Sequence, residues 1–168
     1  MILKQIADST YNRVEKQKSH ISPEEMKERA AKRVRGSFAF EAALKKDGLD
    51  FICEVKKASP SKGIIAEDFP YTEIAKEYEA AGASAVSVLT EPDYFLGSTD
   101  YLMEIRRHVR LPLLRKDFII DEYQLYESKL IGADAVLLIC SLLDADTLER
   151  YIDICYRLGL SALIEAHD

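Results

Sequence analysis

Phe51-Ile52-Cys53-Glu54-Val55-Lys56-Lys57-Ala58-Ser59-Pro60-Ser61-Lys62-Gly63 passes from a short apolar run directly into a polar, lysine-rich loop. A run of that length closed by turn residues reads as a β-strand. Side chains alternate along a strand, so Ile52, Glu54 and Lys56 share one face, while Val55 and Lys57 share the other. A glutamate and a lysine on one face of a covered strand are costly unless they pair. Their spacing therefore points to a site and not to a simple exit into water. The loop lacks Gly-x-Gly-x-x-Gly, so a dinucleotide-binding turn has no support.

Moving outward, the same texture repeats. Apolar runs at Phe51–Val55, Ala85–Leu89, Leu111–Leu114, Ala135–Ile139 and Ala162–Ile164 alternate with amphipathic segments at Tyr71–Ala81, Thr99–Val109, Glu122–Ile131 and Ala145–Leu158. The strands recur every ~22 to 33 residues, the size of a βα unit. Gly82, Gly132 and Gly159 each stand where a helix should end. The runs are apolar on both faces, as parallel strands covered by helices must be. The class is α/β, and the pattern fits either an open doubly wound sheet or part of a (β/α)₈ barrel. A whole barrel needs ~250 residues, so this chain holds about five of its strands.

Upstream the chain is helical. Ile2, Ile6, Tyr11 and Val14 fall near helical spacing and predict an apolar stripe turned away from solvent. Ser22-Pro23-Glu24-Glu25 is a helix start, with Ser22 as the cap. That helix runs to about Val34 and is mostly solvated, and a short one follows over Ser37–Lys46. Residues 1–48 read as a helical extension and 49–168 as the strand-bearing domain.

Function in a parallel α/β sheet gathers at the C-terminal strand ends. Here those ends carry Glu54 and Lys56, then Leu89-Thr90-Glu91, Lys116 with Phe118, Cys140-Ser141, and Glu165 followed by Ala166-His167-Asp168. If the alternating faces point inward, two lysines and two glutamates converge on one mouth. Lys57 and Arg115 fall on the opposite face and read as ordinary strand-exit charges. Tyr94-Phe95 reads equally as an aromatic wall or as loop packing.

The 168 residues are 48% hydrophobic and 31% charged, with a net charge of −6. That acidity fits neither a nucleic-acid nor a membrane-surface partner. The lysine-rich loop and Lys116 would instead make a local positive field for a small anion. No apolar run is long enough to span a bilayer, and the charged start is not a secretory signal. Cys53, Cys140 and Cys155 read as reduced residues of a cytoplasmic protein. His108 and His167 lack a second ligand at usable spacing, so no metal site is expected.

These residues together resemble a known family. Phe51–Gly63, Ser87-Val-Leu-Thr-Glu91 with Tyr94-Phe95-x-Gly97-Ser98, Leu113-Leu-Arg-Lys-Asp-Phe-Ile119, Gly132–Ile139 and Ala162–His167 are similar, in order, to the first five strand segments of indole-3-glycerol phosphate synthases. Ile2-Leu-Lys-Gln-Ile6 is similar to that family's N-terminal extension. The resemblance implies a (β/α)₈ TIM barrel, incomplete here, and a lyase of tryptophan biosynthesis that needs no cofactor. It also implies the substrate, 1-(2-carboxyphenylamino)-1-deoxyribulose 5-phosphate. By motif, Lys116, Lys56, Glu165 and Glu54 are the catalytic positions. Ser59, Pro60, Leu89, Phe95, Phe118 and Leu137 line the substrate pocket. The family's phosphate-binding turns belong to later strands, so the chain alone is expected to be inactive and to self-associate through open sheet edges. Asp68-Phe-Pro-Tyr71 departs from the family's pattern, with Asp68 expected to cap the next helix. The alternatives are another phosphate-binding barrel enzyme, such as a phosphoribosylanthranilate isomerase, and a non-catalytic half-barrel scaffold that pairs with another chain.

Overall fold

The computed structural model describes residues 2–45 and 47–166. Lys46, assigned above to the third helix, and His167 and Asp168, assigned to the last strand end, lie outside the described residues. Helices α1 (Ile2–Lys18), α2 (Pro23–Ala31) and α3 (Ala39–Ala43) come first. Then follow β1 (Ile52–Val55), a two-stranded hairpin of β2 (Ala58–Ser59) and β3 (Gly63–Ile64), α4 (Tyr71–Ala80), β4 (Ala85–Leu89), α5 (Thr99–His108), β5 (Leu113–Lys116), α6 (Glu122–Ile131), β6 (Ala135–Ile139), α7 (Ala145–Leu158) and β7 (Ser161–Glu165). Strands β1-β4-β5-β6-β7 form one parallel sheet in chain order. Each helix crosses between sequential neighbours, as a barrel requires and an open doubly wound sheet does not.

Register separates the faces. Glu54 pairs with Ser87, Ser87 with Leu114, Leu114 with Ala135 and Ala135 with Ser161. The opposite face packs under the helices. Val55, Val86, Val88 and Leu113 meet Ala75, Leu102 and Ile105 of α4 and α5. Val136 and Leu138 meet Leu125, Tyr151 and Ile154 of α6 and α7. On the inner face Phe40 of α3 packs against Ala85, Leu114 and Ala135, closing the N-terminal end. The chain reaches α3 by crossing the end of α7, where the Gly36 N–H donates to Leu158 O at 2.9 Å. A Cβ on Gly36 would lie 2.2 Å from Gly159 O, and Gly159 ends α7 at φ 71°. Both positions need glycine, one for space and one for a left-handed turn.

The extension is anchored by α1 and α2. Ile6, Thr10 and Val14 of α1 are buried on one stripe. Tyr11, expected on that stripe, is 58% exposed, and Ile2 is about half exposed. One residue of phase decides this, since Thr10 and not Tyr11 is four residues from Ile6. In α2, Ser22 accepts from the Glu25 N–H at 3.2 Å, and Met26 and Ala30 are its buried contacts.

Four further readings change. The strand expected over Leu111–Leu114 runs instead from Leu113 to Lys116, because Arg115 belongs inside it; judging a strand by apolar residues alone hid that. The loop after β1 contains the β2–β3 hairpin. Asp68 is not a cap: α4 starts after Pro70 with no side-chain cap bond. Arg115 is no strand-exit charge, being only 1% exposed.

Candidate active site

The inner face opens at the C-terminal ends of the strands into a cavity of about 340 Å³. Glu54 of β1 and Lys56 just after it reach the cavity, with Leu89 from β4, Lys116 from the end of β5, Phe118 just beyond it, Leu137 from β6, Glu165 from β7 and Phe95 from the loop after β4. A second cavity of about 510 Å³ shares Lys56, Phe95 and Phe118 with the first and is lined by Ser59, Pro60 and Lys62 of the hairpin loop. All ten residues named as site candidates therefore stand around two adjoining spaces.

Within the cavity, the Lys56 Nζ donates to Glu54 Oε1 at 2.6 Å. Lys116 Nζ stands 3.9 Å from Glu165 Oε2, an ion pair too long for a hydrogen bond. The two lysines thus differ. One is held by a carboxylate two residues before it, and the other faces one across the mouth. Phe95 and Phe118 lie with ring centroids 6.0 Å apart and planes tilted at 37°, a pair that lines an apolar slot of the cavity beside the charged groups.

Leu3, Asp117, Ile139 and Ser141, none of them named as a pocket residue from sequence, also line the first cavity. Leu3 comes from α1 and is legible as i−3 from Ile6. Ile139 follows from Leu137 by alternation. Ser141 lies just beyond the end of β6, where alternation no longer applies.

Behind the cavity wall lies a buried charge network. Arg115 donates to Asp117 at 3.1 Å, Thr90 at 3.2 Å, Ser128 at 3.1 Å and the Gln124 carbonyl at 3.1 Å, and pairs with Glu127 at 2.7 Å. Thr90 donates to Asp117 at 2.7 Å. From α1, Arg13 donates to Asp117 at 2.9 Å and Gln17 donates to Glu127 at 2.9 Å. Burial opposes the charge on Arg115, yet Glu127 and Asp117 outweigh it and raise its pKa above the ordinary value. Burial likewise disfavours the Asp117 carboxylate, but Arg115 and Arg13 hold its pKa below the usual range. The network ties α1 to the strand end that carries Lys116 and Phe118.

A family model described as indole-3-glycerol phosphate synthase matches residues 3–168. The indole-3-glycerol phosphate synthase of Ruminiclostridium cellulolyticum is 62% identical across 100% of this chain and 65% of its own length. That of Endomicrobium trichonymphae is 56% identical across 100% of this chain and 66% of its own. The chain thus spans just under two thirds of the length of these curated relatives. Among solved structures, a mandelate oxidase variant with (S)-mandelic acid is similar at TM-score 0.52 and 14% identity, covering 77% of this chain and 45% of that one. At that identity the likeness shows the fold alone.

Proposed function

Since the chain belongs to the indole-3-glycerol phosphate synthase family, we propose that it supplies the first five strands and the acid–base residues of an enzyme making indole-3-glycerol phosphate. The substrate is 1-(2-carboxyphenylamino)-1-deoxyribulose 5-phosphate. The observation that carries this reading is the inequality of the lysines beside the aromatic slot. Lys56 is hydrogen-bonded to Glu54, while Lys116 meets Glu165 only across 3.9 Å.

The chemistry follows from that arrangement. The anthranilate ring lies against Phe95 and Phe118. Its carboxylate-bearing carbon attacks the ketose carbonyl, and the carbonyl oxygen takes a proton from Lys116. The ammonium charge also stabilises the oxygen as negative charge develops. Carbon dioxide then leaves, and its bonding electrons restore the ring π-system. Finally the new hydroxyl departs as water with a proton from a lysine, and a glutamate removes the ring-adjacent proton. Glu165 takes that base role or stabilises positive charge at the anilino nitrogen. Lys56 positions substrate and assists as acid, and Glu54 orients the lysines. The sequence balances with protons alone, so no cofactor or metal is assigned.

Ser59 and Pro60 line the substrate side of the hairpin loop in this reading, and Leu89 and Leu137 floor the slot. The phosphate is held by residues beyond the five strands described. Ile52 of β1 and Ile164 of β7, on the two outermost strands, are exposed. Such edges recruit further strands, whether from the rest of a barrel or from a second copy of this chain. The unpaired cysteines fit a reducing cytoplasm, which is where we place the reaction. No helix among the described residues is long and apolar enough to cross a membrane.

The test is Lys116→Met in a fusion of residues 1–168 to the C-terminal third of the 62%-identical relative. Methionine keeps the length and removes the proton and charge. Product formation should fall at least ~10²-fold, the scale of losing a general acid, with folding retained. Near-normal turnover would overturn the assignment.

A further inference from the structure

Glu91 is a wholly buried carboxylate, 0% exposed, for which the reaction above has no use. Its partners are backbone groups of its own loop. The Asp93 N–H donates to Oε1 at 3.0 Å, and the Tyr94 and Phe95 N–H groups donate to Oε2 at 2.8 and 3.0 Å. Three successive backbone dipoles thus converge on one side chain, in the strong charge-assisted class of hydrogen bond. The loop is also closed at its base. The Gly97 N–H donates to Glu91 O at 2.8 Å and the Ser98 N–H to Leu89 O at 3.3 Å. Gly97 lies so close to β4 that a Cβ there would stand 2.5 Å from Leu89 O. Leu96 adopts φ 51°, which lets the chain reverse between Phe95 and Gly97. The last N–H in this cluster belongs to Phe95, whose ring lines both cavities opposite Phe118. From outside, Ser9 of α1 donates to Asp93 in the same loop.

We propose that Glu91 is a positioning residue of the substrate slot. It touches no substrate, and by gathering these three N–H groups it sets the distance of Phe95 from Phe118. The proposal rests on the synthase reading for the identity of the ring, an anthranilate, that enters the slot. Backbone hydrogen bonds are available to the loop in many arrangements. The arrangement that aims Phe95 inward is selected because the Glu91 side chain spans from the end of β4 to three consecutive amides. A carboxylate one methylene shorter cannot reach all three.

Losing one charge-assisted bond makes the aimed arrangement a minority state, and apparent affinity falls by the fraction that remains. The expected change for Glu91→Asp is a rise in KM of about 10-fold with kcat nearly unchanged, the signature of lost uniform binding. A loop that serves stability alone would lower the unfolding temperature and leave this split unmoved.

The experiment is a double-mutant cycle of Glu91→Asp and Phe95→Ala in the same fusion protein. KM and kcat are measured with the carboxyphenylamino substrate, and binding is measured by fluorescence titration with anthranilate. Each single variant should raise KM and weaken anthranilate binding. The double variant should bind no worse than Phe95→Ala alone, because Glu91 acts through that ring. Unchanged KM and anthranilate affinity in Glu91→Asp, or effects that multiply in the double variant, overturn the proposal. If the unsubstituted fusion binds anthranilate but forms no product, the synthase reading fails, while the titration still decides the role of Glu91. If it binds no anthranilate, the slot itself is refuted.

Discussion

Replacing Arg115 with methionine removes the centre of the buried network and leaves its carboxylates behind. Arg115 is 1% exposed and meets Asp117 at 3.1 Å and Glu127 at 2.7 Å. Methionine retains most of the apolar stem, so the loss is chiefly electrostatic. Removing one partner of a buried ion pair costs ~3–5 kcal/mol, because the remaining charge is uncompensated. Arg13 still reaches Asp117, which favours the lower part of that range. With a urea dependence of ~3 kcal/mol/M, the unfolding midpoint of the fusion should fall by about 1 M. Asp117 is held below its ordinary pKa, so its contribution is present above the unfolded carboxylate value of ~3.9 and is lost as pH falls through the folded one. In Arg115→Met the buried Asp117 carboxylate loses the main charge that compensates its burial, which pushes its pKa up. That variant loses stability as pH rises through the raised value. The difference between the proteins is therefore large at pH 7 and shrinks towards pH 4. Urea unfolding at both pH values reads it directly. Neutralising the carboxylates as well, with Asp117→Asn and Glu127→Gln, should recover much of the loss. A midpoint change corresponding to less than ~1 kcal/mol at pH 7, the value of an exposed pair, would refute this account, as would a difference independent of pH.

Gly36→Ala should destabilise by ~1–3 kcal/mol or more, as overpacking does, since its Cβ would meet Gly159 O at 2.2 Å; an unchanged unfolding midpoint counts against the close crossing. Deleting residues 1–36 from the fusion should raise KM and expose apolar surface to a hydrophobic dye, because Leu3 lines the cavity and Ile6 and Val14 are buried; unchanged KM and dye binding would show that α1 is dispensable. The Cys155 thiol, pushed up to about 12 by burial, should be alkylated at pH 8 only on unfolding, and mass spectrometry of labelled native protein checks this. A polypeptide of residues 1–168 alone should form no indole-3-glycerol phosphate and should self-associate on a sizing column; full activity from a monomer would contradict the role given to the later strands.

Much of this arrangement was legible along the chain. Alternation placed Glu54 with Lys56, Lys116 with Phe118, and Glu165 on faces that the fold turns inward, because a period of two survives any packing of the sheet. Apolar runs and helix-ending glycines located β4, β6, α6 and α7 to the residue, since those segments are governed by local periodicity. The open sheet and the barrel could not be separated by periodicity, because both are built from the same βα unit and differ only in the order of neighbours. The structure decided that order. It also decided what lies on the far side of each strand. Alternation put Arg115 on the outer face, but only the meeting of the β4 strand end, β5, α6 and α1 supplied Thr90, Glu127 and Arg13 as partners, and so made buried charge tolerable. Likewise Glu91 ends a strand like any polar residue until its loop folds back on it. Those relations link residues as far apart as 13 and 117, and no local pattern encodes which distant group will neutralise a charge.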